Sequence, residues 1–170
     1  MSCTFSACAS EMDYQNYLEF LLEHYRDLHL PYPFPVSLSF IASPVLMQQG
    51  SILCFDESED RNIGALGYIL GTGENHYQDT HVVQIQAVYL LEPYRSHTVF
   101  RKGLQFFTDH IVKQHEVSEI RFFAPADDKL HRLLTKVSER IATRETDSGP
   151  LNEYRAAFSE WLAKVARFSG

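Results

Sequence analysis

The stretch from His81 to Pro125 limits the possible folds more than any other. Val82, Val83, Ile85, Ala87, Val88, Tyr89, Leu90 and Leu91 leave both faces of one extended segment largely apolar toward its end. Strands of that kind belong in sheets covered on both sides. From Thr98 to Gln114 the period changes. Phe100, Gly103/Leu104, Phe107 and Ile111 recur at helical steps, broadened by Val99 and Phe106. Ile120 to Ala124 then forms a short apolar run that stops at Pro125. Strand, helix and strand in this order predict an α/β fold, a mixed central sheet with helices on both faces.

The rest of the chain fits that frame. Cys3 to Ala9 is short and alternating, as an edge strand would be. Ser10-Glu11-Met12-Asp13 is a variant of the capping box. Behind it Tyr14, Tyr17, Leu18, Leu21, Leu22, Tyr25 and Leu28 step as one face of a helix. That helix stops before Pro31-Tyr32-Pro33-Phe34-Pro35, because proline lacks an amide hydrogen and restricts the residue before it. Ser37 to Gln49 reads as a short helix that Pro44 would bend or start. Ser51 to Phe55 and Ile63 to Leu70 read as antiparallel partners around the charged turn Asp56 to Asn62. Asp127 and Asp128 cap a helix whose stripe is Leu130, Leu133, Leu134, Val137 and Ile141. The tail, Ala142 to Phe168, divides at Ser148-Gly149-Pro150. It reads as a strand pair or, over Glu153 to Val165, as a helix.

A chain of 170 residues suits one domain, spanning 1–170. Its net charge of −7, from 22 acidic and 15 basic residues, opposes broad attraction to nucleic acid or anionic lipid. Neither nucleic acid nor membrane is therefore expected as a partner. Arg95, Arg101 and Lys102 leave room for a local anion site. No window nears the roughly 18 apolar residues of a membrane span, and Met1 to Ser10 lacks the pattern of a secretory signal. A cytoplasmic location is the expectation. Cys3, Cys8 and Cys54 form no closed disulfide set and no ligand pair, so they read as reduced thiols and no metal is implied.

The run Val88-Tyr89-Leu90-Leu91-Glu92-Pro93-Tyr94-Arg95-Ser96-His97-Thr98-Val99-Phe100-Arg101-Lys102-Gly103-Leu104 resembles the GCN5-related N-acetyltransferase (GNAT) family. Members commonly carry an apolar strand, a short turn with Pro and Tyr, and then Arg/Gln-x-x-Gly-x-Gly/Ala opening a helix. Here Arg95 holds the first position, while Thr98 and Phe100 stand where the glycines would be. The resemblance covers nearly the whole chain. It implies a GNAT-like (acyl-CoA N-acyltransferase) fold that uses acetyl-CoA as co-substrate and acetylates a small-molecule or peptide amine directly. It further implies that Val88, Tyr89 and Leu90 pair with the pantetheine. Arg95, Ser96, His97, Thr98, Val99, Phe100 and Arg101 would wrap the pyrophosphate at a helix N-terminus, where peptide dipoles favour anions. Glycine lets a backbone approach phosphates closely. Phe100 either fills that space or turns into the core with its stripe, and both readings stay open.

Acetyl transfer needs a base and often an acid. Where family members place a carboxylate near the central strand, this chain offers Gln84 and Gln86, which orient water without accepting its proton. The position of the usual acid tyrosine, aligned on Asp127, is Leu134. Gln86, His131 and Tyr154 are the catalytic candidates. His131 reads as a solvated surface residue, and Tyr154 approaches the cleft if its segment is a strand. The alternative is a non-catalytic GNAT-like module that binds a ligand or partner, favoured by the absent glycines, carboxylate and tyrosine. The aromatic segment Pro31 to Phe40 reads as packing, with an acceptor pocket or a homodimer contact as alternatives.

Overall fold

The computed structural model describes residues 2–30, 32–147 and 149–167, without the side chain of His97. Pro31 and Ser148, named above, thus lie outside the described residues. The chain opens with β1 (Cys3–Ala7), α1 (Glu11–Glu23), α2 (Phe34–Leu46), β2 (Gly50–Asp56), β3 (Arg61–Leu70) and β4 (Val82–Leu90). Then follow α3 (His97–Gln114), β5 (Glu119–Pro125), α4 (Asp128–Leu134), β6 (Glu139–Thr146), β7 (Gly149–Ala157) and α5 (Phe158–Arg167). The strands form one sheet in the order β1-β2-β3-β4-β5-β7-β6. All neighbours are antiparallel except β4 and β5.

Each face carries its own core. Tyr17, Phe20 and Leu21 of α1 and Ile41 of α2 close over Leu53, Ala65 and Ala87. On the other face Phe107 and Ile111 of α3, with Trp161 and Val165 of α5, cover Ile52, Val83, Ile120, Phe122 and Tyr154. The Trp161 indole donates to Thr108 Oγ1 at 2.8 Å and ties α5 to α3. Ser10 caps α1 with the capping box its sequence announces.

A bulge makes β4 serve both cores. Gly67 pairs with Ala87 and Tyr68 with Ile85, so Gln86 has no partner opposite. An inserted residue flips the alternation. Val83 and Ile85 therefore face the α3 side and Ala87 the α1 side. At Gly67 the helices come close: a Cβ there would stand 1.8 Å from Tyr17 Oη and 2.7 Å from Pro44 Cγ. Only glycine admits that approach.

Three sequence expectations need correction. The second helix begins at Phe34 and runs through Pro44. The carbonyl that a Pro44 amide would have served, Phe40 O, accepts instead from Ser43 Oγ at 2.9 Å. The helix after β5 ends at Leu134, so Val137 lies in the turn and Ile141 in β6. Thr135 Oγ1 donates to His131 O at 2.9 Å and Ser138 Oγ to Leu134 O at 2.7 Å, and such back-bonding competes with helix continuation. The tail is both a strand pair and a helix: β7 persists to Ala157, and α5 starts only at Phe158.

Candidate functional site

The two parallel strands part almost as soon as they meet. β4 pairs with β5 only through Val82–Glu119, Val83–Ile120 and Gln84–Arg121. Beyond that level β4 stays with β3 as far as Leu90, and β5 stays with β7 as far as Pro125. A gap opens between them, and Val88 is 50% exposed there.

Register decides which main-chain groups face the gap. Leu91 N–H donates to Ile63 O at 2.9 Å, outside the Gly64–Leu90 pair. In an antiparallel ladder this makes Gly64–Leu90 a non-hydrogen-bonded pair, whose own amides point away from each other. The N–H and C=O of Leu90 therefore face the gap, and those of Val88, two residues earlier in the same register, do likewise. The main chain of Tyr89 points to β3. Its ring stacks on His24 at 4.9 Å, and its hydroxyl donates to Asp27 Oδ2 at 3.2 Å. Of the three residues expected along a pantetheine, Val88 and Leu90 turn their backbone groups to the gap.

The turn after β4 is held from behind. Tyr94, 4% exposed, donates its hydroxyl to Asp56 Oδ2 at 2.5 Å. That bond, with those from Ser58, holds the Asp56 carboxyl down at about 2. Arg95 Nε donates to Leu90 O at 2.7 Å, and its guanidinium lies 5.1 Å from the Tyr89 ring centroid. Ser96 caps α3, its Oγ accepting from Val99 N–H at 3.3 Å. Val99 is buried, Phe100 half-buried, and Thr98, Arg101 and Lys102 exposed. First-turn amides have no carbonyl of their own helix to reach, so this end of α3 presents donors and a positive dipole beside the gap.

The catalytic candidates fall in two places, Gln86 in one and His131 with Tyr154 in the other. Gln86 is 9% exposed and fully engaged: its Oε1 accepts from Gln84 Nε2 at 2.7 Å, and its Nε2 donates to Ser43 Oγ at 3.2 Å. Through Ser43 it braces the proline-bearing turn of α2. His131 is half-buried rather than solvated, and its Nδ1 shares a 2.8 Å hydrogen bond with the Tyr154 hydroxyl. Tyr154 is wholly buried and also accepts from Asn152 Nδ2 at 3.2 Å. Asn152 in turn accepts from Thr143 Oγ1 at 2.8 Å. This chain satisfies polar groups beneath α4, with Leu134 packed on the same core.

Apart from Tyr32, in the segment for which an acceptor pocket is one reading, sequence reasoning missed a set of residues around Phe123 of β5. A cavity of about 300 Å³ is bounded there by Tyr32, Phe123, Leu151 and the hairpin residues Arg144, Glu145 and Asp147. Glu153 stands opposite Phe123 in the β5–β7 register. Its side chain, 15% exposed, pairs with Arg144 at 3.5 Å, and Arg144 lies 5.8 Å from the Phe123 ring centroid. No local motif announces these groups, because a hairpin register brings them together. A larger cavity, about 400 Å³, lies at the far end of the sheet by His81, Glu119 and Lys164. Arg155 there already pairs with Glu139 at 3.3 Å. Among the described residues no group of three or more His, Cys, Asp or Glu is arranged to hold a metal, and no helix is long and apolar enough to cross a membrane.

No protein-family model matches the chain, and neither does any curated protein sequence. Solved structures do match. Ribosomal-protein-S5-alanine acetyltransferase from Vibrio fischeri is 11% identical with a TM-score of 0.65, over 92% of this chain and 94% of that one. AAC(6')-Ib, solved with paromomycin and acetyl-CoA, is 15% identical with a TM-score of 0.63, over 95% and 97%. A chain of the NatC complex bound to Gag peptide and CoA is 13% identical with a TM-score of 0.65, over 92% and 99%. The protein has the GNAT fold.

Proposed function

We propose that this protein is an acetyl-CoA-dependent N-acetyltransferase that passes an acetyl group directly to an amine of a small molecule or peptide. The observation that carries the proposal is the parting of β4 from β5, with the main-chain groups of Val88 and Leu90 turned into the opening. Strand groups without a neighbour need partners, and the amides of a pantetheine arm supply them. The α3 N-terminus at the same opening suits a diphosphate, with the Thr98 hydroxyl and Arg101 as further donors. Structures of this fold with acetyl-CoA and paromomycin, or with CoA and a Gag peptide, support the coenzyme arm and leave both acceptor classes open.

The co-substrate supplies an activated acyl carbon. A carbon–nitrogen bond forms to the amine and the carbon–sulfur bond breaks, so the amine loses a proton and the sulfur gains one. Glu145 and Asp147 give the cavity beside Phe123 an attraction for a cationic amine, since Arg144 is already paired with Glu153. Gln86 accepts no proton. We assign the proton-accepting role, through water, to Glu153, the carboxylate that β7 brings beside Phe123.

Calorimetry with acetyl-CoA and with free coenzyme A tests the binding half, with micromolar affinity expected and silence at millimolar ligand sinking the proposal. Thiol release across a panel of amines tests turnover, and Glu153→Gln should lower kcat by about 100-fold. One observation favours a second reading, a coenzyme-binding module without turnover: Gln86 is fully engaged and Leu134 is core, so the usual base and acid positions are both inert. Binding without thiol release would select it.

A further inference from the structure

The last main-chain acceptor along the gap is occupied by the protein itself. Leu90 C=O faces the gap and accepts from Arg95 Nε at 2.7 Å. The guanidinium is steadied by the Tyr89 ring, which His24 and Asp27 hold in turn. An extended ligand pairing along β4 would meet the Arg95 side chain at the mouth. Resting on the coenzyme A reading above, we propose that Arg95 is a specificity-determining residue, covering the Leu90 carbonyl and releasing it to ligands that carry a diphosphate.

The exchange follows from what each partner offers a cation. A carbonyl offers a dipole and an aromatic ring a quadrupole, whereas a phosphate offers full charge and paired acceptors. Arg95 is exposed, and among the described residues no carboxylate stands within ion-pair distance of it. The cap of α3, Ser96, is the next residue in the chain. A diphosphate at that helix end would therefore stand within the arc of the arginine side chain. Moving there satisfies the guanidinium and frees Leu90 C=O for the pantetheine in one step. A bare pantetheine must displace Arg95 and offers nothing in return.

The test is calorimetry on the full chain with coenzyme A and with pantetheine, which lacks every phosphate. The wild type should bind coenzyme A at least about 100-fold more tightly than pantetheine, a difference on the scale of charge-assisted bonds to phosphate. In Arg95→Ala, pantetheine should bind about tenfold more tightly than in the wild type, since one bond to Leu90 no longer has to break. Coenzyme A should bind more weakly, so the ratio collapses. Arg95→Gln keeps a donor for Leu90 without the charge, and should lose coenzyme A affinity without the gain for pantetheine. It also serves should Arg95→Ala fail to fold. Coenzyme A bound by the wild type, with pantetheine affinity unchanged or lower in Arg95→Ala, overturns this inference alone. An unchanged ligand ratio in Arg95→Gln does the same. A wild type silent to coenzyme A overturns the inference and the reading it rests on.

Discussion

The two edges of β4 are built from the same nine residues and behave oppositely. The edge toward β3 is continuous for seven pairs, locked by a bulge at Gln86 and pressed by α1 and α2 at Gly67. The edge toward β5 has three pairs and then none. Rigidity on one side is what lets the other stay open, because a strand with unpaired groups on one edge needs its course fixed from elsewhere. Side chains specify the closed edge and backbone the open one. A strand edge that binds through its backbone tolerates side-chain change better than one that binds through side chains.

The largest effect should come from breaking the closed edge. Gly67→Val would drive a branched side chain into Tyr17 and Pro44, whose atoms stand 1.8 and 2.7 Å from the added Cβ. A destabilisation of about 3 kcal/mol is expected, the upper range for overpacking, read as a lower melting temperature. A variant as stable as the wild type would mean that α1 and α2 do not clamp β4. Next comes Gln86→Leu, which leaves Gln84 Nε2 without its acceptor and removes the bond to Ser43 from the proline-bearing turn of α2. It should cost about 2 kcal/mol while sparing the turnover of the folded fraction. A collapse of kcat at unchanged stability would instead make Gln86 catalytic.

The open edge predicts the reverse signature. Val88→Pro removes an N–H that β3 does not use, and proline is tolerated where a strand amide faces outward. Stability should hardly move, while affinity for coenzyme A falls about tenfold, one hydrogen bond's worth. Should the variant unfold instead, the amide would not face the gap as the register requires.

This contrast also sets what could be read in the sequence. α1, β4 and α3 were legible because their apolar periods are long, and β5 because its short apolar run stops at Pro125. The pantetheine strand was legible only through the resemblance, since parting of strands leaves no mark on composition. Gln84-Ile85-Gln86 reads as ordinary alternation, and nothing in it signals that Gln86 is the inserted residue. β6 is exposed at six of its eight positions, so it lacks the one-sided apolar pattern that identifies a strand. Its pairing with β7 shifts between Arg140 and Ala142. Hence Glu145 and Asp147 could not be assigned to a common cavity beforehand, nor Glu153 to its ion pair with Arg144.

The smallest effect is a test of how the two edges are joined at the turn. Tyr94, just past the open end of β4, donates to Asp56 at the end of β2, on the closed side. The bond favours the ionised carboxylate, so the folded pKa of about 2 lies below the ordinary 3.8. A depressed carboxylate binds fewer protons in the folded than in the unfolded state. Its contribution to stability is complete above 3.8 and disappears as the pH falls toward 2. Tyr94→Phe removes the first cause of the depression and keeps the ring. At neutral pH its melting temperature should lie a few degrees, roughly 2–4 °C, below the wild type's. The difference should shrink steadily below pH 3.8 and vanish near 2. A difference that stays constant across that range would show the hydroxyl acting independently of the carboxylate. The turn that aims α3 at the gap would then hang on packing alone.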